Sequence, residues 1–285
     1  MYERIVAGTD LSRTAKVATD RAARLARSLG AKLTLVHAGP DPGESLTSLA
    51  EEYGADSLAV RGQPAEVLIS QTEELDADLL VVGSVGMSGA RRFLLGSVPN
   101  KVSHHAPTDL LIVKTDPPPK EVGDYQRLLI GTDGSPTAMR AVDISSGLAA
   151  KLRVTPVIVC VYEPPTEQEL NRMKKSGDPL EQWGAGRSQR ETPEEFKWRI
   201  AAASQAEDVL ERATEHASKQ GADAEVRAIE GSPAETLLAL AESEGFDLIA
   251  VGSVGMSGAK RFALGNVPHR VSHHAPTDVL ILRTA

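Results

Sequence analysis

Asp78 to Thr115 reads DLLVVGSVGMSGARRFLLGSVPNKVSHHAPTDLLIVKT, and Asp247 to Thr284 reads DLIAVGSVGMSGAKRFALGNVPHRVSHHAPTDVLILRT. Aligned without a gap, 28 of these 38 positions are identical. The starts of the two halves agree as well, RIVAGTDLS at Arg4–Ser12 against LLIGTDGS at Leu128–Ser135. A chain that repeats itself at this level carries two copies of one fold. Between the copies, Asp116–Tyr125 holds three consecutive prolines, which have no amide hydrogen to donate and stiffen an extended connection. The expected division is therefore a first domain over 1–116, a linker over 117–125 and a second domain over 126–285.

Within each half, strand-like runs alternate with helical stretches. In the first half the β-branched and aliphatic runs are Arg4–Gly8, Lys32–His37, Ser57–Val60, Leu79–Gly83 and Leu110–Lys114. The first helix begins after Ser12, a good N-cap, and stops at Gly30, a good C′ residue. Its Ala18, Ala22, Leu25 and Leu29 recur at the spacing of one buried face. The second half repeats the pattern from Arg127, with Ser135-Pro136 as N-cap followed by proline at N1. Short apolar strands alternating with amphipathic helices predict βαβ units, so the fold class is α/β. Two repeated doubly wound domains follow, each with five mostly parallel strands and helices on both faces. The halves differ after their second strands. The first half has a short connection, Gly39–Tyr53, whereas the second has a long insert over 163–193 and then a helix over Glu194–Lys219. Loops of that length are usually functional or disordered, so a packing insert and a lid or partner-binding loop both stand as readings.

The chemistry centres on Gly83-Ser84-Val85-Gly86, nine further residues, and Gly96-Ser97. The first two glycines follow a strand, and open parallel sheets bind ligands at that end. Glycine allows backbone amides to approach an anion and permits positive φ in the loop. Gly96-Ser97 opens a helix, whose free amides and positive dipole end favour phosphate. Asp10 closes the first strand at the same edge, where a carboxylate can accept hydrogen bonds from ribose hydroxyls. The second half offers Gly252, Gly255, Gly265, Asn266 and Asp133 as counterparts. The competing reading is that these glycines only shape turns and that Asp10 caps the first helix.

Gly-x2-Gly-x9-Gly-Ser/Thr is the ATP-binding signature of the universal stress protein family, and the chain resembles that family along nearly its whole length. The resemblance implies a strand order of 3-2-1-4-5 in each half. It implies adenine and ribose contacts from Gly8, Thr9 and Asp10, and a backbone contact at Ala38. The phosphates then lie on Gly83, Ser84, Val85, Gly86, Gly96, Ser97 and Val98. In the second half the same resemblance points to Gly131, Thr132, Asp133 and Val161, with Gly252, Ser253, Val254, Gly255, Gly265, Asn266 and Val267. Asn266 departs from the family's Ser or Thr. Pairing of the halves through their last strands into a pseudo-dimer is also implied, with a further homodimer on the same model. The implied cofactor is ATP, carried with Mg2+ or Mn2+, in a stress-response regulatory role; cyclic AMP is a ligand of some relatives.

Other signals narrow the reading. The net charge of −8 works against non-specific attraction to nucleic acid or anionic membrane. Apolar runs stay short of a membrane span, the single Cys160 excludes an intrachain disulfide, and Met1 leads almost directly into a strand. A cytoplasmic protein is expected. His104-His105 and His273-His274 are adjacent on helices, so neither forms a chelating pair. Met87 and Met256 read as packing residues. Arg91-Arg92 and Lys260-Arg261 either reach phosphate oxygens or form a solvated face. No GxxxxGK[ST] or GxSxG motif occurs. Binding without a dedicated catalytic base is therefore expected, with a slow ATPase or phosphotransferase as the alternative.

Overall fold

The computed structural model describes residues 1–85, 95–115, 122–163, 194–255 and 264–283, with backbone alone for 194–200. The first half runs β1 (Arg4–Thr9), α1 (Arg13–Leu29), β2 (Lys32–Ala38), α2 (Glu44–Tyr53), β3 (Asp56–Val60), α3 (Pro64–Glu74), β4 (Leu79–Gly83), α4 (Ser97–His105) and β5 (Asp109–Val113). The second runs β6 (Leu128–Gly131), α5 (Pro136–Leu152), β7 (Val157–Tyr162), α6 (Glu194–Lys219), β8 (Glu225–Glu230), α7 (Pro233–Glu244), β9 (Leu248–Gly252), α8 (Asn266–His274) and β10 (Asp278–Leu282).

The ten strands form one sheet in the order β3-β2-β1-β4-β5-β10-β9-β6-β7-β8. Each half contributes a parallel array in the expected 3-2-1-4-5 order, and the arrays meet where β5 runs antiparallel to β10. That junction pairs Leu110 with Ile281, Leu111 with Leu280 and Ile112 with Val279. All six side chains are at most 2% exposed, and burying each such aliphatic group stabilises the fold by about 1.5–3 kcal/mol.

Side chains alternate across the sheet, so two apolar layers form. Ile5 and Ala7 of β1 join α1, α2, α5 and α6 on one face. Val6 joins α3, α4, α7 and α8 on the other. Local signals set the helix ends: the Ser12 hydroxyl accepts from the Ala15 amide, and Gly30 closes α1 at φ 69°. Ser135 likewise accepts from Ala138, with Pro136 at N1 of α5. One expectation is corrected. The stretch 39–53 is more than a connection, because Leu46 and Ala50 lie one turn apart and bury against the core, making α2 a helix. Among the described residues no helix is long and apolar enough to cross a membrane.

Candidate functional site

β1 and β4 are neighbours, with Ala7 opposite Val81. The chain leaves β1 toward β2 and leaves β4 toward β5, so their C-terminal ends bound a crevice at a topological switch point. The turn after β1 is tied by its own side chains. Thr9 Oγ1 accepts from the Leu11 amide at 3.1 Å, and Asp10 Oδ1 accepts from the Ser12 amide at 3.0 Å. Thr132 and Asp133 hold the second-half turn in the same way, at 3.2 and 3.0 Å. Asp10 is thus part of a turn, with one carboxylate oxygen committed to it, and the N-cap of α1 is Ser12.

The turns differ at one position. Leu11 sits at φ 61°, where its counterpart is Gly134 at φ 75°. The left-handed region costs a non-glycine residue about 1–2 kcal/mol. A Cβ on Gly134 would lie 2.8 Å from Val209 and 2.9 Å from the Arg212 guanidinium. The long helix α6 therefore occupies the space that the Leu11 side chain, packed on the core, takes in the first half.

Beyond β4 the backbone is stitched to its surroundings. The Ser84 amide donates to the Val113 carbonyl at 2.8 Å, and the Gly96 amide donates to the Ser84 carbonyl at 2.8 Å. Gly96 is the N-cap of α4, with Ser97 at N1. The first amides of a helix have no partner within it, which leaves those of Ser97 and Val98 outside the helix's own hydrogen-bond ladder. The second half repeats this: Ser253 donates to Leu282 at 2.7 Å, and Gly265 donates to Ser253 at 2.8 Å. There Gly265 is the N-cap and Asn266 stands at N1.

Positive φ is not what the described motif glycines supply. Gly96 has φ −61° and Gly265 −64°, and neither Gly83, Gly252 nor Gly255 is in the left-handed region. Space is the constraint. A Cβ on Gly83 would lie 3.2 Å from Thr115 Cγ2, one on Gly252 3.0 Å from the Thr137 backbone, and one on Gly255 2.6 Å from Asp133 Oδ2. Gly255 and Asp133, expected at one site, are thus brought together. Gly8 and Gly131 answer to core packing, since a Cβ on either would lie 2.8 Å from Leu68 or Leu237.

At the neighbouring strand end, His37 Nδ1 donates to the Thr9 carbonyl at 3.0 Å, beside Ala38. Its counterpart in the second half is Cys160, beside Val161. Burial and the Asp133 carboxylate push that thiol up to about 11, so it is no nucleophile at neutral pH. Sequence reasoning missed His37 because a lone histidine in a strand carries no spacing signal. Gly86, Met87, Arg91, Arg92, Met256, Lys260, Arg261 and 164–193 lie outside the described residues.

A cavity of about 220 Å³ lined by Arg4, Lys32, Asp56, Leu58, Leu75 and Ala77 lies at the N-terminal ends of β1–β3, the wrong end of a parallel sheet for this site. Among the described residues no group of three or more His, Cys, Asp or Glu could hold a metal ion.

The chain is 34% identical over 164 residues to universal stress protein Rv1636 of Mycobacterium tuberculosis (strain ATCC 25618 / H37Rv), covering 56% of this chain and 97% of that protein. A universal stress protein from Archaeoglobus fulgidus DSM 4304 superposes with a TM-score of 0.62 at 19% identity, covering 99% of this chain and 98% of that one. A Pseudomonas aeruginosa UCBPP-PA14 structure described as a putative universal stress protein gives 0.68 at 14% identity, covering 99% and 93%. At these identities the two structures are alike in fold. The sequence model of the universal stress protein family matches residues 1–61, 55–114 and 124–283. This chain belongs to the universal stress protein family.

Proposed function

We propose that this chain is an ATP-binding regulatory module of the stress response, acting in the cytoplasm. The observation that carries the reading is a convergence at one switch point: Thr9 and Asp10 at the end of β1, Ser84 and Val85 after β4, and the N-terminus of α4. Backbone amides with a positive dipole end suit phosphates, and the Asp10 carboxylate suits ribose hydroxyls. Gly8, Ala38, His37 and the turn glycines shape the base end. The second half offers the same set, from Gly131–Asp133 and Val161 to Gly252–Gly255 and Gly265–Val267. In this reading Mg2+ or Mn2+ arrives on the nucleotide's own phosphates.

In this reading Asp10 serves the ribose end, and binding is preferred over hydrolysis because no carboxylate is assigned to the phosphates as a general base. Residues 1–116 and 126–285 act as two domains held as an intrachain pseudo-dimer. The β5–β10 ladder supports that arrangement; it fails if the two halves tumble independently by NMR relaxation. Mass spectrometry of nucleotide released from freshly purified, denatured protein tests the binding reading, with ATP and cyclic AMP titrated by calorimetry. The expected result is adenine nucleotide at up to two per chain without multiple turnover. No released nucleotide and no heat with either ligand at millimolar concentration overturns it.

A further inference from the structure

Two residues at the end of the first half's last strand, Val113 and Thr115, hold the loop that leads into the phosphate cradle. The Val113 carbonyl accepts from the Ser84 amide. The Thr115 amide donates to Ser84 Oγ at 3.1 Å, and Thr115 Oγ1 lies 3.3 Å from the same oxygen. That hydroxyl also brackets Val85, 3.4 Å from both its amide and its carbonyl oxygen. Thr115 is fully buried, and its Cγ2 fills the space left by the missing side chain of Gly83. Ser84 in turn carries the Gly96 amide, the N-cap of α4. The cradle's described backbone therefore hangs on 113–115.

The residue between them is fixed from the other half. The Lys114 amide donates to Asp278 Oδ1 at 2.8 Å. Asp278, at the start of β10, is itself held by Arg21 at 3.0 Å and the Tyr125 hydroxyl at 2.8 Å. The second half mirrors the arrangement, with the Arg283 amide donating to Asp109 Oδ1 at 2.8 Å.

We infer that Thr115 is a positioning residue for the first-half cradle and that Asp278, from the opposite half, sets its place. The first nucleotide site is completed across the β5–β10 junction, and docking of the halves and ligand affinity there are coupled through 113–115. This rests on the nucleotide reading of the site, but its geometric part does not need a ligand.

The test uses the full chain with the second site disabled by Gly255→Ala, comparing Thr115→Val, Thr115→Ser and Asp278→Asn. Amide exchange at Val85 and Gly96 is read first without nucleotide, then ATP affinity by calorimetry. Thr115→Val and Asp278→Asn should each speed exchange and weaken ATP about tenfold, whereas Thr115→Ser, which keeps the hydroxyl, should stay within about threefold of the parent. If Asp278→Asn lowers the folded fraction by circular dichroism, Tyr125→Phe takes its place with the same direction expected. Parental exchange and affinity in both Thr115→Val and the Asp278-side variant overturn the inference. Faster exchange in these variants of a parent that binds no ATP keeps the coupling and overturns the nucleotide reading instead.

Discussion

The Arg21 guanidinium of α1 lies 3.0 Å from the carboxylate of Asp278 in β10, and both side chains are nearly buried. Arg21 also stacks on Tyr125, 4.0 Å from the ring centroid. The opposite acid, Asp109, is gripped at 2.8 and 3.1 Å by Arg140 of α5, with the Tyr2 hydroxyl at 3.0 Å. Each half thus presents a buried aspartate and receives the other half's arginine. A buried pair balances desolvation against attraction, but removing one partner strands a charge.

Arg21→Ala should therefore destabilise the chain by about 3 kcal/mol in urea denaturation, the low end for breaking a buried pair. Lys16→Ala, whose ion pairs to Asp20 and Glu52 lie in solvent, should cost under about 1 kcal/mol. Equal costs for the two would show that the Arg21–Asp278 pair is no better sheltered than a surface contact.

These arginines were not legible in the sequence, although much around them was. Ser12 and Gly30 bound α1 because capping is local, and the repeated DLLVVG and DLIAVG runs give β4 and β9 without any tertiary knowledge. Arg21 and Arg140 stand nine and five residues after their N-caps, so aligning the two helices does not match them. Their acids lie in the opposite half, and no local rule couples residues 21 and 278. The glycines were legible as a motif, but part of what holds them was not: Gly83 and Gly255 stand against Thr115 and Asp133, side chains distant in sequence. Leu46 and Ala50 did carry a helical period in 39–53, overlooked because the segment is short.

Gly96→Ala separates space for a ligand from space for the fold. At φ −61° alanine is unstrained, and its Cβ would stand 3.4 Å from the Ser84 carbonyl oxygen, an ordinary contact. The variant should melt close to the wild type while ATP affinity at the first site falls at least tenfold, about 1.4 kcal/mol. Wild-type affinity in the folded variant would remove the α4 N-terminus from the binding site.

Acid should loosen the contact between α4 and α8. His269 stacks on His273 at 4.2 Å and lies 5.8 Å from His104 of the other half, with His105, His274 and Arg283 close by. Burial first, then the neighbouring histidines and, for His104, Arg283, hold the His104 and His269 rings below the ordinary histidine range. The folded state thus binds these protons more weakly than the unfolded chain. Their stabilising share is complete above the unfolded value of about 6.5 and is lost as pH falls from there through the lowered folded value. Melting temperature should drop between pH 7.5 and 5.5, and His269→Asn, the residue found at the matching position Asn100, should flatten that drop. An unchanged pH slope in the variant would exclude His269 as a contributor.

The last difference between the halves lies at the first helical residue of the cradle. Ser97 and Asn266 both occupy N1 after a glycine N-cap, which has no side chain of its own to meet a ligand. Serine offers a compact hydroxyl donor, and asparagine sets its amide farther from the backbone. Asn266→Ser should tighten nucleotide at the second site by about 0.5–1.5 kcal/mol, the worth of one hydrogen bond. Ser97→Asn should weaken the first site by a similar amount. Calorimetry resolves each site when the other is disabled, by Gly96→Ala for the first and Gly255→Ala for the second. If neither exchange changes affinity, N1 does not set occupancy. Any asymmetry would then lie in the 163–193 insert or in the turn after the first strand of each half, where α6 places Val209 and Arg212 against Gly134 and the first half has Leu11.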